Sequence, residues 1–384
     1  MLLRQEGERS SYGTPCDRNA LLLHHERLIL HSHLRLHRSV STFAAPLSIP
    51  ATPPRLPSRV LVTGGAGFIG SALVWALNGL GIERIVVTDR LGRDEKWRNL
   101  VPLRFEDYLE ADDLMAPLER GALGNFDLVL HLGACSATTE LDASYLAKNN
   151  FEVTKHLAHW ALGHDVRFVY ASSAATYGDG AQGMDDRDNS TAGLSRLRPL
   201  NAYGYSKHLF DQYAAAMGVL PNVVGLKYFN VYGPNEAHKA DMRSLVHKAH
   251  GQIQETGRVK LFKSHRPDFA DGEQRRDFLY VKDAVAMTLH LAMTPTAGGL
   301  FNIGSGEANT WLQLTGALFS AIGMPPAIDF IDMPESIRAK YQYHTQADIA
   351  KLRAAGYTAP VTPLGDAVRD YVQGYLANDR RLGD

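Results

Sequence analysis

The chain has 384 residues, 45% of them hydrophobic, and 40 lysines and arginines against 41 acidic residues give a net charge of −1. This suits one large or two smaller buried-core domains, and the near-neutral balance gives no basic footprint for nucleic acid. No apolar run approaches the roughly 20 residues of a membrane span, and the two cysteines, Cys16 and Cys135, offer neither a disulfide framework nor a metal spacing.

The chain therefore reads as cytosolic. Residues 1–57 combine His24, His25, His31, His33 and His37 with arginines and leucines, then a proline-rich run from Pro46 to Pro57. This segment lacks a secretory apolar region, and acidic residues interrupt any transit-peptide pattern, so it reads as a solvated, poorly ordered extension with no metal site. With the first strand beginning at Arg59, an upstream mis-assigned start codon would account for it.

Strand, glycine turn and helix follow in Ser58–Thr63, Gly64-Gly65-Ala66-Gly67-Phe68-Ile69-Gly70 and Ser71–Leu77. Glycines here permit a tight turn and let backbone approach a pyrophosphate held at the helix N-terminus. A second strand, Arg84–Thr88, ends at Asp89, about 20 residues on, where a dinucleotide ribose is read. Asp89 alone favours NAD, but Arg90 follows directly, and two cations with Lys96 favour a 2′-phosphate and thus NADP.

Further strands are expected at Phe126–Ala134, Val166–Ser173 and Val223–Val231, with a helix from Asp142 to Gly163 carrying Asn149 and Asn150. The alternation predicts an α/β Rossmann fold, a doubly wound parallel sheet with ligands outside the strand carboxyl ends. Residues 58–235 form the expected dinucleotide domain, rejoined by part of 275–305. Residues 236–384 mainly form a smaller, discontinuous substrate-binding domain.

Asn201–Lys207 reads as a helix that places Tyr203 and Lys207 at i and i+4 on one face. An ammonium beside a phenol favours the phenolate, which would make Tyr203 a proton carrier. Ser172 and Ser173 fall at a strand end where a substrate oxygen would meet a nicotinamide.

The glycine turn, Ser173 and Tyr203-x-x-x-Lys207 together resemble the extended short-chain dehydrogenase/reductase superfamily, over about residues 59–375. The dehydratases of that superfamily carry an Asp-Glu pair after the catalytic hydroxyl, where this chain has Ala174-Ala175. A narrower resemblance is to the ADP-L-glycero-D-manno-heptose 6-epimerase family. It rests on Gly133-Ala134-Cys135-Ser136, Tyr170–Gly178, Tyr203–Lys207, Gly233–Lys239 and Lys340–Asp348.

That resemblance implies inversion of C6 in an ADP-linked heptose through a 6-keto sugar, a step toward the lipopolysaccharide inner core. The ketone oxygen then takes two positions, each needing a proton carrier within about 3 Å; Tyr203 serves one and Lys239 the other. The same resemblance assigns Gly64, Gly67, Phe68, Ile69, Gly70, Asp89, Arg90, Lys96, Leu132, Gly133, Ala134, Cys135, Ser136, Asn149, Tyr203, Lys207, Val231 and Lys239 to the cofactor. Ser173, Asn230, Lys239, Phe262, Lys263, Ser264, His265, Arg276 and Tyr341 fall to the ADP-heptose. Arg276 is the expected diphosphate clamp, with an ion pair to Asp277 as its structural alternative. Ala240-Asp241 and an apparent insertion from His265 to Gln274 depart from the family pattern at the sugar contacts. A homo-oligomer, a pentamer by family, is expected. The other readings are a different nucleotide-sugar epimerase or reductase, such as a UDP-sugar 4-epimerase, and a non-catalytic NADP-sensing protein.

Overall fold

The computed structural model describes residues 56–338 and 341–384, so the expectations for the histidine cluster and for nearly all of the N-terminal extension lie outside the described residues. In chain order the strands are β1 (Val60–Thr63), β2 (Ile85–Asp89), β3 (Asp107–Glu110), β4 (Leu128–His131), β5 (Arg167–Ser173) and β6 (Val224–Tyr228). They continue as β7 (Asn230–Tyr232), β8 (Val259–Phe262), β9 (Arg275–Tyr280), β10 (Gly299–Ile303), β11 (Ala308–Thr310) and β12 (Ile328–Ile331).

Seven strands form one parallel sheet in the order β10-β6-β5-β4-β1-β2-β3. Strands buried on both faces need apolar residues at successive positions, and β1 shows the division. Val60 and Val62 enter the core on the side of helices Phe68–Gly79 and Val281–Ala292, while Leu61 enters the core shared with Val153–Gly163 and Ala202–Ala216. This is the expected doubly wound α/β fold. Strand order reverses between β1 and its neighbours β2 and β4, and such a reversal opens a crevice at the strand carboxyl ends.

A smaller region carries a three-stranded sheet, β11-β9-β7, and the pair β12-β8. The single strand expected over 223–231 is divided. Phe229 N–H donates to Ile303 O at 3.0 Å, and β7 then leaves the large sheet to pair in parallel with β9. An apolar run marks β propensity but not the sheet a strand joins. The helix expected over 142–163 is continuous in path, but Ala147–Glu152 is wound as a π-helix, with Asn149 and Asn150 inside it.

Candidate active site

The glycine turn fits a dinucleotide. Gly64 has φ +67°, and a Cβ there would lie 2.6 Å from Gly133 N, so the loops after β1 and β4 meet only through glycine. A Cβ on Gly70 would lie 2.0 Å from Gly64 O. Helix Phe68–Gly79 begins at Gly67 with no side-chain cap and no acidic residue in its first turn, leaving the N–H groups of its first turn, Phe68, Ile69 and Gly70 among them, for an anion.

Asp89 braces this cradle. Its Oδ2 accepts from Ala66 N and Gly67 N at 2.9 and 3.0 Å, and its Oδ1 accepts from Arg90 N at 2.7 Å and Lys96 Nζ at 3.2 Å. The carboxylate is therefore already filled by donors. Arg90 reaches Asn149 Oδ1 at 2.7 Å and pairs with Asp112 at 2.5 Å, so Asp89, Arg90, Lys96 and Asn149 of the expected cofactor residues meet at one edge.

Beyond β4, Leu132 N donates to Thr63 O and Gly133 N to Thr63 Oγ1. Asn150 grips the following loop, accepting from Cys135 N at 2.8 Å and donating to Cys135 O at 2.9 Å. Its amide also reaches Ser206 Oγ at 2.9 Å, tying the loop to helix Ala202–Ala216. Ala134 is half-buried and Ser136 exposed beside it. The π-turn provides this reach by displacing Asn150 inward, a signal that spacing alone does not carry.

Helix Ala202–Ala216 starts at Asn201, whose side chain accepts from Gly204 N at 2.8 Å. Tyr203 lies within hydrogen-bonding reach of Ser173, which eases its ionisation, but burial dominates and holds the phenol above its ordinary value. The expectation that Lys207 lowers it is corrected. Lys207 Nζ instead donates to Ala171 O at 2.9 Å, and burial pulls this ammonium down to about 8. The half-buried phenol and the buried amine both favour their uncharged forms, so desolvation outweighs the pairing that i, i+4 spacing suggests.

The two serines separate cleanly. Ser172 Oγ is committed to Asp211 Oδ2 at 2.7 Å, whereas Ser173 faces Tyr203 and accepts from Ala175 N at 3.1 Å. Below them His131 bridges Thr63 and Thr154 at 2.6 and 2.8 Å; burial pushes it down to about 3, so it is neutral scaffolding.

Lys239 lies over the Phe68 ring, 5.1 Å from its centroid, at the entrance to the glycine turn. Buried Glu236 pins its loop, accepting from Ser244 N and Ser244 Oγ at 2.6 Å and from Tyr371 OH at 3.1 Å. Burial lowers the Lys239 ammonium, with Glu236 opposing. Asn235 and Ala240 bracket the lysine with φ of 78° and 45°.

A second group of expected residues gathers around β9. Arg276 is 6% exposed, between the Trp311 and Tyr341 rings at 5.7 and 5.0 Å. Its guanidinium donates to Arg275 O at 2.8 Å, and the alternative ion pair with Asp277 is not the arrangement found. Trp311, which the sequence did not single out, donates to Tyr341 OH at 2.9 Å. His265 N donates to Tyr343 OH at 3.1 Å, and Ser264 N to Asp271 at 2.6 Å. Phe262 ends β8, and Lys263 faces outward to Asp332. Asn230 Oδ1 accepts from Thr345, and half-buried Val231 packs on the core beside it. Gln342 reaches the Gly178 carbonyl, joining this group to the turn after Ser173.

The family model described as "NAD dependent epimerase/dehydratase family" matches residues 60–304. A protein of Nitratidesulfovibrio vulgaris strain Hildenborough, named ADP-L-glycero-D-manno-heptose-6-epimerase, is 51% identical over 318 residues, spanning 83% of this chain and 98% of that protein. One of the same name from Fusobacterium nucleatum is 44% identical, with the same two coverages. Among solved structures, the Helicobacter pylori ADP-L-glycero-D-manno-heptose-6-epimerase superposes with a TM-score of 0.69 at 28% identity, over 83% of this chain and 96% of that one. A Bacillus cereus UDP-glucuronic acid 4-epimerase solved with NAD and a fluorinated UDP-sugar gives 0.66 at 26% identity, over 82% and 99%.

Proposed function

The chain belongs to the NAD dependent epimerase/dehydratase family, and within it to the ADP-L-glycero-D-manno-heptose-6-epimerases; from that membership and the site we propose how it inverts C6 of the heptose. The observation that carries the proposal is the Ser173–Tyr203 pair beside a glycine cradle that fits a dinucleotide. When bound, a nicotinamide dinucleotide supplies the acceptor and donor of the C6 hydride.

Ser173 holds the C6 oxygen while Tyr203, in its phenolate form, takes the proton; Lys239 later gives one to the oxygen, and exchange with solvent restores both carriers. The 6-keto sugar presents either face by rotating about the exocyclic bond, and Lys239 serves the oxygen in its second position. Its lowered ammonium suits it to giving up a proton. Arg276, stacked between two rings and without a carboxylate partner among the described residues, receives the diphosphate of ADP.

We assign NADP as the cofactor form. Asp89 is turned into the glycine turn, so Lys96 and Arg90 meet the adenosine ribose in its place. The substrate-binding part begins near residue 236, where the chain leaves the strand ends for the Lys239 loop. Among the described residues, no helix is long and apolar enough to cross a membrane. Cytoplasmic work as a homo-oligomer, supplying the lipopolysaccharide inner core, accords with the family membership.

Incubation with ADP-D-glycero-D-manno-heptose, with C6 inversion followed by NMR and the cofactor by absorbance, tests the reading. Inversion without net cofactor change is expected. Stoichiometric consumption would indicate a reductase instead.

A further inference from the structure

Beneath the reacting groups lies a fully buried charge that the reaction does not use. Asp211 is 0% exposed and sits two turns after Tyr203 and one after Lys207, on the same helical face. Its Oδ1 accepts from Tyr170 OH at 2.8 Å, and its Oδ2 accepts from Ser172 Oγ at 2.7 Å. Lys227 Nζ, itself 1% exposed, stands 3.5 Å from Oδ2 and donates to Thr176 Oγ1 at 2.6 Å. One carboxylate therefore joins the catalytic helix to β5 and β6.

We propose that Asp211 is a positioning residue for the epimerisation, fixing Lys207 and Ser173 together by anchoring the helix to the end of β5 and supplying the counter-charge to the Lys207 ammonium. This rests on the function proposed above. Ser172 and Ser173 are consecutive at the end of β5, so the bond of the first to Asp211 fixes the backbone from which the second meets Tyr203. A buried carboxylate with two donors and one cation is costly unless all are kept, which makes the anchor rigid.

The charge effect has a sign. Burial pulls the Lys207 ammonium down, and Asp211 and the Cys135 side chain oppose it. His131, from β4, also feels the Lys207 charge but is itself neutral. Lys227 from β6, Tyr170 and Tyr177 from β5 and its following turn, and His208 from the same helix face Asp211. Asp186 also acts on Lys227, favouring its charged form.

Two variants separate anchor from charge. Asp211→Asn keeps the shape but removes the charge, and Ser172→Ala removes one anchor but keeps it. The Lys207 side-chain nitrogen is titrated by NMR in 15N-lysine-labelled protein, its signal identified by its loss in Lys207→Met. This needs no substrate, so it stands even if the heptose activity fails. Asp211→Asn is expected to move the midpoint down by about one pH unit or more, with the alkaline limb of kcat following. Ser172→Ala is expected to leave the midpoint in place and lower kcat several-fold with KM little changed. An unmoved midpoint in Asp211→Asn, or equal shifts in both variants, overturns the charge role. Unchanged kcat in Ser172→Ala overturns the anchoring role, including where Asp211→Asn does not fold.

Discussion

Arg276 and Asp277 are consecutive on β9 yet act on opposite sides of it. The Asp277 carboxylate accepts from Ser305 N and Ser305 Oγ at 2.6 and 2.8 Å and from Gly306 N and Ala347 N at 2.9 Å. The guanidinium is left between aromatic rings on the other face. Strand alternation alone produces this separation, and it frees Arg276 for an external anion. Arg276→Lys is expected to raise KM for the ADP-heptose roughly tenfold or more with kcat nearly kept, because an ammonium makes no bidentate fork. Initial rates across substrate concentration check this, and an unchanged KM would remove Arg276 from the diphosphate site.

Tyr203→Phe and Lys239→Met are each expected to lower epimerisation by about 10² to 10⁴-fold. Dinucleotide binding and thermal stability should change little in Tyr203→Phe. Normal turnover by Lys239→Met would sink the two-carrier scheme.

Lys96→Ala should weaken NADP binding by about tenfold, the weight of one desolvated charge contact, and leave NAD binding almost unchanged. Fluorescence titration with both dinucleotides decides it. Equal losses for the two would show that Lys96 merely braces Asp89, the contact it makes at 3.2 Å.

Gly70→Ala places a Cβ 2.0 Å from Gly64 O, with backbone rather than a flexible side chain in the way. A loss of about 1–3 kcal/mol is expected from the forced shift, together with weakened dinucleotide binding. Denaturant melts of variant and parent provide the comparison.

His131 is held at about 3, below the roughly 6.5 of an unfolded histidine, so the unfolded chain binds the extra proton between those values. Its contribution is complete above about pH 6.5 and is lost as pH falls toward 3, at about 1.4 kcal/mol per pH unit within that window. His238 and His247, each lowered to about 4 by burial, act in the same direction. Denaturation free energies at pH 7, 5.5 and 4.5 should fall, and His131→Asn should flatten the decline. A stability independent of pH across this range would contradict the burial argument.

The sheet and the glycine turn were legible because each rests on local pattern: apolar runs for strands, and Gly64 and Gly70 where nothing larger fits. Tyr203 and Lys207 were legible as a spacing, but their electrostatics were not, since desolvation depends on what the rest of the chain packs around them. Asn150 was passed over because its role depends on a π-turn, and Trp311 because only the fold brings it to Tyr341. Likewise, nothing within 223–231 distinguishes one strand from two. The second sheet that captures β7 comes from residues 275–280.

The outer strand β10 pairs with β6 across the whole of the intervening segment 229–298. During synthesis, therefore, β6 leaves the ribosome long before its partner, and its hydrogen-bonding edge waits bare until residue 303 has emerged. Closure of such a long-range pairing is slow, and an unprotected strand edge invites pairing with another chain. Chains interrupted before Ile303 should accumulate as aggregates rather than as a folded dinucleotide-binding half. The nucleotide site, assembled from the first part of the sequence, thus becomes durable only once the second part has been made.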